Sequence, residues 1–272
     1  MISLIIVVAL AAIVVLVLSI YHIGSAEAEY QQGEEIYAQA ESAFITPVTT
    51  EQMTVSESSE LDLPEPSESE FQVEEQLSEI TPPFVVDFGA IQEVNPDVVA
   101  WIYCEGTQVS YPVLRGKTNS DYLKHTYDGT YNSAGSIFMD YRNDPEFRDR
   151  NTVLYGHNML NGSMFHCLND FVSQEYFDKH STWYIITPNK TYKLQIFASL
   201  ITSYADELKL FQAISYDSEN WFDKYDDIML DAEAKDEGVF VAEQDCLVML
   251  STCNYSFENA RCVVIGKLIS SE

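Results

Sequence analysis

Met249-Leu250-Ser251-Thr252-Cys253 closes one apolar run, and eight residues past its cysteine Arg261 opens another, Val263-Val264-Ile265. Short runs of this kind, bounded by polar residues, read as buried strands. Paired antiparallel across the intervening loop, they put Cys253 and Arg261 side by side at one end of a sheet. That sets a potential thiolate nucleophile beside a permanent cation. A thiolate so placed still needs a base, a scaffold and a source of substrate.

The scaffold reads as mainly β from about Phe84 to the C-terminus. Asp87 caps a short helix, Phe88 to Val94, which Asn95-Pro96 ends, and Asp97 to Ala100 makes a further turn. Strand patterns follow at Val98 to Tyr103, Gln108 to Leu114, Gly135 to Asp140 and Thr152 to Tyr155, with Asp121 to His125 as a helical turn. Gly162 to Leu168 and Gln174 to Lys179 suggest short helices, and Trp183 to Thr187 with Thr191 to Leu200 a hairpin about Pro188-Asn189-Lys190. One long helix is expected at Glu219 to Lys235. There Trp221, Phe222, Tyr225, Ile228 and Met229 recur at three- and four-residue steps and form one apolar face. Val239 to Val241, Cys246 to Thr252 and Cys262 to Ile269 complete the strands. Short strands, frequent turns and few helices suggest a small closed barrel or a sandwich with helical insertions.

Ahead of this domain the chain has two different segments. Ile2 to Ile23 is almost wholly apolar, and 22 residues in a helix span roughly 33 Å, enough for a bilayer core. Residues 1–24 are therefore expected to form a transmembrane signal-anchor. A cleaved signal peptide is the competing reading, with Ala26-Glu27-Ala28 as its site, but the run has no basic n-region and is long for an h-region. Neither flank carries Lys or Arg to orient the span. A short head with the whole mass behind it favours a single-pass protein with its domain on the extracellular face. Residues 25–83 carry fifteen Glu and Asp and no cation, the composition of a solvated tether. Ala26 to Ala40 has helical character that Gly33 weakens, and Ser42 to Pro83 is expected to be disordered. As a flexible coil the tether would reach on the order of 45 Å. Residues 84–272 form the remaining, globular domain.

The formal charge of -29 leaves no basic stripe for a nucleic-acid partner. Cys104, Cys167, Cys246, Cys253 and Cys262 show no metal spacing, so no metal and no cofactor are expected. All but Cys253 read as small buried hydrophobes. Among the histidines, His157 follows the strand Val153-Leu154-Tyr155 after Gly156, a flexible residue at which a chain can leave a sheet. It thus sits at a strand end, as Cys253 does. His125 and His166 read as surface or packing residues. Spacing alone does not select a base 96 positions from the cysteine.

With Arg261, Leu250-Ser251-Thr252-Cys253 resembles the sortase signature, a strand ending in Ser-Thr-Cys ahead of a strand bearing an arginine. Class B is indicated by Asn95-Pro96-Asp97 to Trp101-Ile102, Tyr111-Pro112-Val113, Gly116 to Asn119, Gly135 to Asn143, Tyr155-Gly156-His157-Asn158-Met159 and Met164-Phe165. The similarity runs in order from about Phe84 to Ile269. It implies a closed eight-stranded β-barrel with N-terminal helices and a long helix before the cysteine strand, at about 219–235. It also implies a catalytic triad of His157, Cys253 and Arg261, with Asn119, Leu123, Tyr155 and Ser251 lining the substrate groove. Asn254 stands where some relatives have an acid, and its backbone N–H is left to serve in that place. Ser203 to Phe211, where the family forms a substrate-contacting loop, shows no clear match.

The activity implied is that of a membrane-anchored cysteine transpeptidase. It would cleave the C-terminal sorting signal of a secreted protein after Thr and pass the thioacyl intermediate to a peptidoglycan amine, with hydrolysis as a side reaction. Two alternatives are a pilin-polymerising sortase using a lysine nucleophile and a non-catalytic surface-binding barrel. No lid segment of the pilin type is recognisable before Phe84, and retention of all three triad residues argues against a non-catalytic barrel.

Overall fold

The structure is a computed structural model in which residues 2–48, 82–216 and 221–270 are described. Its strands are β1 Ile45–Pro47, β2 Phe84–Val86, β3 Val98–Tyr103, β4 Ser110–Leu114, β5 Ile137–Met139, β6 Asn151–Tyr155, β7 Thr182–Ile186, β8 Thr191–Ser203, β9 Ala234–Lys235, β10 Leu247–Cys253 and β11 Ala260–Ser270. Strands β11, β10, β6, β5, β4, β3, β7 and β8 neighbour one another in that order, and β8 pairs back onto β11 from Tyr192↔Ser270 to Ser203↔Ala260. The eight strands thus close into a barrel with no free edge. The pairings β4–β5 and β6–β10 are parallel, and the other barrel pairings are antiparallel.

The continuous apolar runs that bracket Cys253 have a direct cause. Val248, Leu250, Cys262 and Val264 enter the main core with Trp101, Phe165 and Trp183, while Leu247, Met249, Val263 and Ile265 pack with Phe211 and Ile228 in a second cluster. Both faces of β10 and β11 are therefore covered, and alternation with polar residues disappears from their sequence.

Phe211 and Ile228 belong to two helices, Tyr204–Tyr216 and Trp221–Asp231, inserted between β8 and β10. The single helix expected over 219–235 is corrected here. Residues 219 and 220 lie outside the described ones, and the helix ends at Asp231. Glu233 N–H then donates to Ser199 O and Asp236 N–H to Phe197 O, so the backbone turns into β9 alongside β8. Ser203 to Phe211, unmatched in sequence, comprises the last residue of β8 and the start of the preceding helix. Val239 to Val241 forms no strand, and the 3-10 helix lies at His166–Val172 rather than at Gly162 to Leu168. Asp87 caps Phe88–Val94 by accepting from Ala90 N–H at 3.0 Å, as its sequence suggests.

The N-terminal helix runs unbroken from Ile2 to Phe44. It is long and apolar enough to cross a membrane, and the side chains from Ile13 to Leu18 are exposed. Its C-terminal half belongs to the globular domain. Gly33, Tyr37, Ala40 and Phe44 lie at four- and three-residue steps on one buried face. A Cβ at Gly33 would come 3.1 Å from Asn132 Oδ1, so glycine lets this helix approach the barrel closely. Tyr37 stacks edge-on against Tyr111 and donates to Ser136 Oγ at 3.0 Å, and Asn132 Nδ2 donates to Glu29 O at 2.8 Å.

The reading of residues 25–83 as one tether accordingly fails for its first part. The described part also places the ends of the acidic stretch together. β1 pairs antiparallel with β2, and Val48 N–H donates to Pro83 O at 3.0 Å. Residues 49–81 lie outside the described ones, and the residues that flank them, Val48 and Pro83, are hydrogen-bonded neighbours.

Candidate active site

Cys253 and Arg261 are direct partners in the β10–β11 ladder. Beside them β6 runs parallel to β10 in a register that pairs Tyr155 with Ser251, so His157 and Cys253 each follow by two residues. Gly156 N–H donates to Ser251 O at 3.1 Å and Thr252 Oγ1 donates to Gly156 O at 2.9 Å, which ties the two strand ends together. All three residues line one open cavity of about 270 Å³ at this end of the barrel, together with Asn119, Leu123, Tyr155 and Ser251.

Gly156 serves this junction by its size rather than by a special backbone conformation. A Cβ there would collide with Ile137 Cδ1 and come within 2.7 Å of the Phe165 ring. Gly135 is a different case, with φ +55 and Leu123 O and Tyr122 O each 2.6 Å from where a Cβ would stand. It lets the segment before β5 pass under Leu123, whose carbonyl faces the histidine. His157 Nε2 lies 2.7 Å from Leu123 O. A carbonyl oxygen only accepts, so Nε2 carries the proton and Nδ1 is left for exchange.

The cysteine end of β10 is held by amides. Asn158 Nδ2 donates to Cys253 O at 2.9 Å, and Asn254 Nδ2 donates to Asn169 Oδ1 at 2.7 Å. Asn254 N–H donates to Ala260 O at 3.0 Å, so it is committed to the loop and does not serve as a free donor in place of an acid.

All five cysteines are free thiols. Burial pushes Cys167 and Cys262 up to about 12 and Cys104 higher still, and it raises Cys246 as well. Cys253 is the partly exposed thiol that opens into the cavity.

Arg261 donates from Nη1 to Ala260 O at 3.1 Å, and its guanidinium lies 5.2 Å from the Tyr204 ring centroid. A second arginine, Arg142, also lines the cavity. Its Nε and Nη2 each reach the Asp140 carboxylate at 2.8 Å, and it sits over Phe211 at 4.5 Å. Burial acts to raise Asp140, but the hydrogen bonds from Arg142 and from Asn119 outweigh it and hold the carboxyl below its usual range. Asn119 uses both ends of its amide here, donating to Asp140 Oδ2 at 2.8 Å and accepting from Tyr141 N–H at 3.0 Å. It anchors the wall that carries Arg142. Tyr155 donates to the same carboxylate at 3.3 Å, and burial, with Asp140 beside it, raises the phenol. Ser251 is buried, and its Oγ has no hydrogen-bond partner among the described residues.

Sequence reasoning missed Tyr204, Leu208 and Arg142 as lining residues. The first two sit on the helix that replaces the unmatched stretch. Ser203 Oγ accepts from Asp206 N–H at 3.1 Å, a Ser-x-x-Asp helix start that was available to read.

The sequence matches the family model of the Sortase domain over residues 102–269. The chain belongs to the sortase family, whose members are cysteine transpeptidases. It is 36% identical over 187 residues to Sortase B of Staphylococcus aureus (strain NCTC 8325 / PS 47), covering 67% of this chain and 74% of that one. To Sortase B of Listeria monocytogenes it is 34% identical over 185 residues, covering 66% and 73%. The solved sortase B of Bacillus anthracis shares the fold with a TM-score of 0.66 at 30% identity, covering 90% of this chain and 99% of that one. A Staphylococcus aureus sortase B-substrate complex gives 0.63 at 30% identity, covering 75% and 94%. Within the family this is a class B sortase.

Proposed function

We propose that the protein is anchored by its N-terminal helix and that it cleaves a C-terminal sorting signal after threonine, joining the secreted protein to an amine of a cell-wall peptide. The observation that carries this reading is the meeting of Cys253, His157 and Arg261 in one cavity open at a barrel end. Cys253 as thiolate attacks the threonine carbonyl carbon, and charge develops on the carbonyl oxygen. Arg261 stabilises that oxyanion with a guanidinium that stays charged throughout. His157, as imidazolium, keeps its Nε2 proton on Leu123 O and gives its Nδ1 proton to the leaving amide nitrogen. A thioester and a neutral imidazole remain. The acceptor amine attacks the thioester, His157 takes up its proton, and the thiolate leaves. Water in place of the amine gives hydrolysis.

The anchor places the enzyme where exported proteins emerge, with the catalytic domain on the outer face. The continuous helix supports a close attachment. From Ile23 to Tyr30, where contact with the barrel core begins, seven residues of helix rise about 10 Å. Leu123, Tyr155 and Ser251 are assigned to the substrate groove, and Asn119 supports its wall.

Supplying the full-length enzyme in nanodiscs with a sorting-signal peptide and two acceptors tests the acceptor class. We expect transfer to a cell-wall stem-peptide amine. Transfer to a pilin-type lysine peptide alone would favour polymerisation of subunits, and no transfer or cleavage at all would leave only a binding barrel.

A further inference from the structure

One buried acid stands at the edge of this site without a part in the chemistry. Glu207 is 2% exposed, and neither of its carboxylate oxygens has a hydrogen-bond partner among the described residues. Its Oε2 lies 3.8 Å from Arg261 Nε. The neighbouring acid Asp206 faces outward and pairs instead with Lys209 at 2.7 Å.

The chain path makes this contact specific. Ser203 and Thr202 at the end of β8 are the ladder partners of Ala260 and Arg261, and Tyr204 N–H donates to Asn259 O at 3.0 Å. The helix Tyr204–Tyr216 therefore starts beside the arginine. Residues three apart share a helix face, so its first turn delivers both Tyr204 and Glu207 to one guanidinium. Tyr204 takes the ring face, Glu207 faces Nε, and Ala260 O accepts from Nη1. Nη2 is left as the guanidinium nitrogen with no protein partner given by the described residues.

Burial raises the Glu207 carboxyl, and the Ser251 hydroxyl and Arg261 act against that rise. Ser251 is near enough to favour the charged form but makes no formed hydrogen bond with it. An acid buried with so little local satisfaction costs stability. A residue that breaks a local rule in this way is expected where function requires it.

We propose that Glu207 is the positioning residue for Arg261, holding its Nε edge so that Nη2 is presented towards Cys253, where the oxyanion forms. The proposal rests on the oxyanion role given to Arg261 above. Charge attraction at this separation acts without hydrogen-bond alignment, so a neutral amide of the same shape does not replace it.

The test uses full-length enzyme in nanodiscs and the rate of acyl-enzyme formation with a sorting-signal peptide. Glu207→Gln is expected to lower kcat about tenfold, with KM changed less than about twofold, because the oxyanion donor is mis-aimed while substrate binding is kept. Its melting temperature at neutral pH is expected to equal or exceed that of the parent, since a neutral amide replaces a buried charge. Glu207→Asp is expected to recover part of the loss. In an Arg261→Lys background, where no Nε exists, the Gln substitution is expected to change kcat less than about twofold.

A Glu207→Gln enzyme with the parent's kcat, or one whose loss merely follows a reduced folded fraction, would overturn the proposal. So would a tenfold loss that persists in the Arg261→Lys background. If Arg261→Lys itself equals the parent, the oxyanion role of Arg261 and the proposal fall together, and that result is distinct from a failure of Glu207 alone.

Discussion

His157 Nε2 and the Leu123 carbonyl oxygen stand 2.7 Å apart, across the mouth of the cavity that also holds Cys253. A backbone acceptor fixes the tautomer more firmly than a side chain would, since it neither rotates nor ionises. Neutral His157 is therefore expected to carry its proton on Nε2 and to show an unprotonated Nδ1 in nitrogen-15 NMR. His157→Ala is expected to lower the turnover by at least about 10²-fold, the usual worth of a placed acid–base group. An Nδ1-protonated tautomer, or turnover within a few-fold of the parent, would contradict this role.

Gly156 joins the histidine to its strand where no side chain fits. Gly156→Ala drives a methyl into Phe165 and Ile137. Overpacking of this kind costs about 1–3 kcal/mol. Denaturant unfolding should show that loss, and acyl transfer should fall beyond it because His157 is displaced. An unchanged midpoint with unchanged activity would mean that the junction is looser than the structure has it.

Asp140 holds Arg142, Asn119 and Tyr155 from one buried carboxylate. Its folded pKa lies below the ordinary value of 3.8. Its stabilising contribution is therefore fully present above that value and lost as pH falls through the folded one. The carboxylate is buried while Arg142 is about a third exposed, and leaving the donors around such a carboxylate without their charged acceptor costs about 1–3 kcal/mol. Asp140→Asn is expected to unfold more easily by that order at pH 7, with the gap to the parent narrowing below about pH 4. Urea titrations at pH 7 and pH 3 check this, and a gap that stays constant would count against the ion pair as its cause.

The N-terminal boundary of the folded part lies before Phe84. Phe44 packs against Tyr127, and Tyr37 against Tyr111. Phe44→Ala is expected to cost about 3–5 kcal/mol. A fragment beginning at Phe84 should melt well below one beginning at Glu27, since it lacks β1 and the docked helix face. Equal melting temperatures would show that the helix adds nothing to the barrel.

How much of this was legible in the sequence depended on whether the signal was local. The β10–β11 pair and its register followed from two apolar runs and a short polar loop. Asp87 and the hairpin of β7 and β8 were equally readable. The stripe Gly33, Tyr37, Ala40, Phe44 was hidden because its exposed neighbours are acidic, and composition outweighed period. The helix Tyr204–Tyr216 was hidden for a different reason. Between Tyr204 and Phe211 its buried positions are Glu207 and Phe211, so the first residue it turns inward is a charged one, the residue that meets Arg261. The candidate site showed the same division. Cys253 and Arg261 were placed by adjacency, whereas His157 needed the family resemblance until the parallel β6–β10 register brought it alongside.

The central claim is that Cys253 is the nucleophile of an acyl transfer. Intact mass spectrometry of the full-length enzyme, incubated briefly with a sorting-signal peptide and no acceptor amine, tests it most directly. The account predicts a thioester adduct of the peptide cleaved after threonine, mapped to Cys253 and absent from Cys253→Ala. An adduct on another cysteine, or undiminished cleavage by Cys253→Ala, would contradict it.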